Sequence, residues 1–292
     1  FGQAMIGVFI QLGGLGITVF GSVMAMLLGA QLSLRERMTL SQMLNDQPVR
    51  KINAYVRFVV LTTLAVEFIG ALCMMPMWHD PAGLSFTRRL GLSAFHAVSA
   101  FCNAGFSLYS DSMEGYRYGA VTHTVILPLI VLGGLGFPVL ENVMTMTRWR
   151  WRRWRQRRNG RAGIVASKFN APLSAGRLTL HSKVVLVTTI VLYLYGVIAI
   201  GAAQLVPYAQ PPMSPATTTK QWQGGQTVRS TLADASFMSV TARTAGFNNM
   251  PMDELEPASQ FTRITLMLVG ASPGGGENMY LWTQVLAGAE GV

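Results

Sequence analysis

Phe95-His-Ala-Val-Ser-Ala-Phe-Cys-Asn-Ala-Gly-Phe106 and Phe237-Met-Ser-Val-Thr-Ala-Arg-Thr-Ala-Gly-Phe247 are two versions of one segment. Both begin Phe-x-x-Val-Ser/Thr-Ala and end in a polar residue, Asn103 or Thr244, followed by Ala-Gly-Phe. Each reads as a short helix, Leu92 to Phe101 and Leu232 to Thr241, running into a glycine-bearing loop. Ten residues of helix span about 15 Å, half of a hydrocarbon core of about 30 Å, so each helix enters and leaves the bilayer on one side. Non-helical backbone at that depth is tolerated only where protein or a water-filled cavity surrounds it. Glycine accepts backbone angles closed to other residues, and a loop built on it can present carbonyl oxygens in place of a cation's water shell. One Ala-Gly-Phe would be weak evidence; two at equivalent places between apolar segments form a repeat.

The rest of the chain supports a membrane setting. Half of the residues are hydrophobic, 12% are charged and the mean hydropathy is +0.35. Apolar stretches of span length run from Gly2 to Ala30, Val56 to Met77, Val121 to Met146, Val184 to Leu205, and Gln260 to about Leu286. The net charge of +10 is concentrated in the connectors after the first and third spans, the second including Arg148-Trp-Arg-Trp-Arg-Arg-Trp-Arg155. The positive-inside bias puts both connectors in the cytoplasm and both Ala-Gly-Phe loops outside. Trp and Arg at an inner membrane boundary act as interfacial anchors that meet membrane lipid, which is favoured over nucleic acid as their partner. Cys73 and Cys102 belong to no metal or disulfide pattern. Phe1 opens directly into an apolar span without a signal-peptide pattern, so the chain reads as an excerpt of a longer protein.

A second repeat agrees with the first. Ile10-Gln-Leu-Gly-Gly-Leu-Gly-Ile17 and Ile130-Val-Leu-Gly-Gly-Leu-Gly-Phe137 match at six of eight positions, and Leu266 to Ala271 is a degenerate third copy. The unit is an outgoing helix, a pore helix, a glycine loop and an incoming helix. Residues 1–30 are then the incoming helix of a first unit and 31–55 a cytoplasmic connector. Residues 56–147 form a complete second unit, 148–183 a basic connector, and 184–292 a third unit, incomplete or divergent at its end. The glycine clusters are read as close helix packing before a gating role.

In order along the chain, Gln11-Leu-Gly-Gly-Leu-Gly16, Ser33-Leu-Arg-Glu-Arg37, Ser93 to Ser107, Leu132-Gly-Gly-Leu-Gly-Phe-Pro138, Thr241 to Met250 and Gly270-Ala-Ser-Pro-Gly274 resemble the Trk/Ktr/HKT superfamily of potassium transporters. The likeness is greatest to the bacterial Ktr/Trk membrane subunits, and this chain corresponds to the middle portion, without the first filter and the fourth unit. The resemblance implies an all-α membrane protein of tandem helix–pore-helix–helix repeats around a pseudo-fourfold cation pore. It implies a multi-pass protein of the bacterial plasma (inner) membrane, a homodimer, and a cytosolic nucleotide-binding regulatory subunit. By position, Gly105 and Gly246 are filter glycines. Gly270, Ser272, Pro273, Gly274, Gly275 and Gly276 match the start of the family's gating loop, but Glu277-Asn-Met279 follows where the family carries a lysine-bearing stretch.

The site expected from these readings is an ion filter of Asn103, Ala104, Gly105 and Phe106 with Thr244, Ala245, Gly246 and Phe247. K+ would be held by the backbone carbonyls of Asn103, Ala104, Gly105, Thr244, Ala245 and Gly246, with Na+ as the other ion to consider. Asn103 and Thr244 are expected to brace neighbouring loops, and Phe106 and Phe247 to pack behind the filter. Arg243 is expected to turn away towards an acid, Glu67 to be a structural anchor, and His96 to be packed and hydrogen-bonded. No catalytic centre and no organic cofactor are expected. The alternatives are a sodium-permeable member, a non-conducting degenerate remnant, and an intramembrane serine hydrolase using Ser272 with His123 or His181. The last is disfavoured because Pro273 lacks the N–H that would help to form an oxyanion hole.

Overall fold

The structure, a computed structural model, describes residues 2–15, 52–78, 83–158, 178–205, 228–251 and 255–268. The residues expected to form a gating loop, Gly270, Ser272, Pro273, Gly274, Gly275 and Gly276, lie outside the described residues, as does most of both connectors expected to be cytoplasmic.

Every regular element among the described residues is helical. In chain order they are α1 (Gly2–Leu15), α2 (Ile52–Met74, continued by a 3-10 turn Met75–Met77), α3 (Phe86–Phe101), α4 (Leu127–Gly134, preceded by a π-helical turn Thr122–Ile126), α5 (Phe137–Arg158), α6 (Leu180–Leu205), α7 (Val228–Thr241) and α8 (Pro257–Leu268). Ala54–Met77 and Leu180–Leu205 are long and apolar enough to cross a bilayer. Their exposed side chains include Leu64, Phe68, Ile69, Val191, Leu194 and Ile198. That apolar surface is what acyl chains require and what water would penalise.

The third apolar stretch departs from its expected form. Val121 to Met146 reads in sequence as one continuous span, yet the helix stops at Gly134 and restarts at Phe137. Gly136 sits at φ 80°, a left-handed conformation that ends a right-handed helix, and Pro138 tolerates only the first turn of the next one. Helix α5 then runs on to Arg158 through the Arg/Trp stretch.

The chain divides into two compact bodies. One comprises Phe1–Gly14, Thr62–Gly134 and Val191–Gly270, and contains both Ala-Gly-Phe loops. Part of its core joins α6, α7 and α8 through Ile200, Ala235, Met238 and Leu266. Another part joins α1 to α3 through Ile10, Phe95 and Cys102. The other body comprises Leu15–Leu61, Leu135–Ile190 and Ala271–Val292, and includes a small cluster centred on Val139 and Val185.

Candidate functional site

Helix α3 is longer than its apolar core implies. It starts at Phe86, where the Ser85 hydroxyl accepts a hydrogen bond from the Arg88 N–H at 3.3 Å, a capping contact that satisfies a first-turn donor. At about 24 Å for α3 and about 21 Å for α7, both helices remain shorter than a bilayer core. Their C-terminal ends, Phe101 and Thr241, lead straight into the two glycine loops. The partial negative charge of a helix C-terminus favours a cation there by about 0.3–1 kcal/mol.

The loops are closed by matching contacts. The Ser99 hydroxyl donates to the Phe106 carbonyl at 2.7 Å, and the Thr241 hydroxyl donates to the Phe247 carbonyl at 2.9 Å. The Ser99 carbonyl accepts from the Ala104 N–H at 2.9 Å, and the Thr241 carbonyl from Ala245 and Gly246 at 3.1 and 3.0 Å. Ser99 and Thr241 hold the same place in the sequence repeat, so the hydroxyl is a staple across each loop. Gly105 and Gly246 both take left-handed backbone angles, φ 69° and 85°, and Asn103 does so at φ 53°.

The two loops meet. A Cβ placed on Gly105 would collide with the Ala245 carbonyl oxygen and would lie 2.8 Å from its carbon and 3.1 Å from the Gly246 carbonyl carbon. By contrast, a Cβ on Gly246 finds no heavy atom within 4 Å. Among the described residues, the carbonyls of Asn103, Ala104, Gly105, Thr244, Ala245 and Gly246 accept no hydrogen bond. Ala245 is buried, Gly246 is exposed and the other four are partly exposed, so these carbonyls are open to a partner from outside the described residues.

Asn103 is the brace between loops. With its amide oriented by its hydrogen-bond network, Nδ2 donates to Thr244 Oγ1 at 2.8 Å and to the Ile130 carbonyl at 3.2 Å, while Oδ1 accepts from the Gly134 N–H at 3.0 Å. One side chain therefore ties its own loop, the other loop and the end of α4. We expect Asn103→Ala to lower the thermal stability of the purified protein by about 1–3 kcal/mol, because the hydrogen bonds that tie its loop to Thr244 and to the end of α4 are lost. Thr244→Val should cost about 1 kcal/mol, which a melting experiment on both variants checks.

The Gly-Gly-Leu-Gly clusters pack against this end of α3. A Cβ on Gly133 would collide with the Phe101 carbonyl oxygen and lie 2.8 Å from the Asn103 amide group; one on Gly14 would collide with the Cys102 side chain. Small residues thus let two helices approach the backbone at the end of α3 closely. Gly133→Ala should displace the Asn103 loop and lower the melting temperature of the purified protein, which a melting experiment checks.

Other expectations resolve differently. Phe247 is fully buried behind its loop, but Phe106 is 58% exposed, so the paired packing role holds for one of them only. The reason is local: the Ser99-to-Phe106 staple closes seven residues and the Thr241-to-Phe247 staple closes six, so the following ring is aimed differently. Arg243 has its buried Nε unpartnered among the described residues, and no acid pairs with it there. Glu67 is buried and receives the Cys102 thiol at 3.7 Å. His96 is fully buried; Nδ1 donates to the Leu92 carbonyl at 2.8 Å, and Nε2 lies 3.1 Å from Ser107 Oγ. His123 Nε2 lies 3.0 Å from the Arg117 carbonyl, engaged in a structural contact.

The residues that sequence reading missed lie in α7 and in the stretches that follow the two loops. Arg117 pairs with Asp234 through two hydrogen bonds of 2.9 and 2.6 Å, and Asn249 Nδ2 donates to the same carboxylate at 3.0 Å. The Met113 N–H donates to the Asn248 carbonyl at 2.8 Å, and the Asn248 N–H to Ser112 Oγ at 3.1 Å. These contacts pin the stretch after the first loop to α7 and to the stretch after the second. An acid in the middle of a helix whose one other charge is Arg229 at its start was the available signal for Asp234.

Comparison with known proteins identifies the family. The chain is 30% identical over 275 residues to the Ktr system potassium uptake protein B of Bacillus subtilis (strain 168), covering 93% of this chain and 52% of that protein. It is 29% identical to the Ktr system potassium uptake protein B of Vibrio alginolyticus, over 94% of this chain and 53% of the relative. It is 27% identical to the potassium/sodium uptake protein NtpJ of Enterococcus hirae, over 94% and 51%. The chain thus spans about half the length of the curated relatives it matches. The profile of the TrkH family, described as cation transport protein, matches residues 1–276. The chain is a membrane protein that belongs to the TrkH family of cation transport proteins.

Proposed function

We propose that this chain supplies two of the re-entrant segments of a potassium-uptake pore, with K+ passing the backbone carbonyls of Asn103, Ala104, Gly105, Thr244, Ala245 and Gly246. The observation that carries the reading is the contact between two glycine loops whose carbonyls have no donor among the described residues. A large monovalent cation is held by several neutral dipoles strongly enough to shed water and weakly enough to leave. The relatives named for potassium uptake support the ion, and the one named for potassium and sodium makes Na+ the competitor to measure.

The tandem-repeat organisation, the homodimer, the cytosolic nucleotide-binding regulator, the bacterial inner membrane and gating by the Gly270-to-Gly276 loop belong to this proposal. Matching staples at Ser99 and Thr241 support the repeat. The test is uptake by the full-length protein in cells lacking their own potassium uptake, comparing wild type with Gly246→Ser. That position has room for a Cβ, so the fold should survive and the change should fall on the ions. The expected result is a fall of at least about tenfold in potassium-over-sodium preference, from altered carbonyl geometry. Folded protein with unchanged rate and preference would refute the filter assignment.

A further inference from the structure

The chain contains no Asp or Glu between Glu141 and Asp234, yet the last half of α5 is Arg148-Trp-Arg-Trp-Arg-Arg-Trp-Arg-Gln-Arg-Arg158. Local carboxylates therefore cannot neutralise it. Three arginines are held in a repeating arrangement: the guanidinium of Arg153 lies 4.2 Å from the ring centre of Trp149, that of Arg155 5.4 Å from Trp151, and that of Arg158 5.4 Å from Trp154. Each pair is spaced four residues apart, where side chains on a helix are neighbours. Trp151 and Trp154 are nevertheless 56% and 55% exposed, so the stacked rings are not sheltered by the protein.

We propose that this end of α5 is a docking surface for anionic phospholipid headgroups, with the Trp-stacked guanidiniums of Arg153, Arg155 and Arg158 as the phosphate-binding groups. Stacking uses the face of a guanidinium and leaves its N–H edge free, and that planar fork matches two phosphate oxygens. Indole rings prefer the interfacial zone where headgroups lie, and arginines beside them meet the negative surface potential of the cytoplasmic leaflet. A nucleic acid would satisfy the charge but not the location, since the same helix begins in the apolar segment Phe137 to Met146. The inference is independent of the pore reading, because it uses no filter residue.

The test uses the full-length protein in nanodiscs of neutral phosphatidylcholine or with about one-third phosphatidylglycerol, following tryptic cleavage at positions 148–158 by mass spectrometry. Cleavage should be at least about tenfold slower in the anionic discs, and high salt should remove most of the difference. Replacing Arg153, Arg155 and Arg158 together by lysine keeps the charge and the cleavage sites, and should cut the protection at least about threefold because lysine lacks the planar fork. Equal cleavage in both lipids would overturn the proposal. Protection by added RNA in neutral discs that matches the anionic discs would overturn it in favour of nucleic acid, and full protection of the lysine variant would overturn the role of the stacked guanidiniums.

Discussion

Gly105→Ala is expected to abolish potassium uptake and to reduce the yield of folded full-length protein, while Gly246→Ala leaves folding nearly intact. Two effects coincide at Gly105. Its left-handed φ of 69° penalises any side chain by about 1–2 kcal/mol. In addition, the new methyl group would drive into the Ala245 carbonyl oxygen, which is backbone and cannot rotate away. The loops must separate, and the contact that aligns their carbonyls is lost. At Gly246 only the backbone penalty applies, since a Cβ there meets nothing within 4 Å. Rubidium or potassium uptake normalised to membrane-inserted protein, with melting in detergent for each variant, separates these outcomes. Equal behaviour of the two variants would show that the loop contact does not govern the site.

Asp234→Ala should destabilise the protein more than any single change on the outer surface. The Asp234 side chain is fully buried and Arg117 is 14% exposed, so removing the acid takes a two-hydrogen-bond carboxylate away from a largely desolvated guanidinium. Losing one partner of a buried pair costs roughly 3–5 kcal/mol. Asn249 also loses its acceptor. Replacing both partners with apolar residues of similar size, as in Arg117→Met with Asp234→Leu, should recover much of the loss, because no charge is then left to desolvate. The check is a double-mutant cycle on melting of the detergent-solubilised protein. An Asp234→Ala variant that melts with the wild type would rule out a structural role for the pair.

What the sequence made legible followed from local rules. The ends of both pore helices at Phe101 and Thr241, and the left-handed glycines at 105 and 246, follow from motif and residue type. Their starts were less legible. Phe86-Thr-Arg-Arg-Leu90 is not an apolar stretch, and its helical state depends on the Ser85 cap. The break at Gly136 was masked by strong apolarity on both sides, where hydropathy reports burial in lipid but not backbone angle. Nothing local joins Arg117 to Asp234; only the folded chain brings these positions together. Phe106 and Phe247 carry identical motifs and opposite exposure, because a one-residue difference in loop length redirects the ring.

That one-residue difference reaches beyond the ring it redirects. In an assembly of identical subunits, an edit to the mouth is imposed on every copy at once. Here the two hairpins are separately encoded and already unequal, so under the proposed function a mutation alters one wall of the conduit and leaves the other as it was. Ion preference in such a protein can drift in small asymmetric steps.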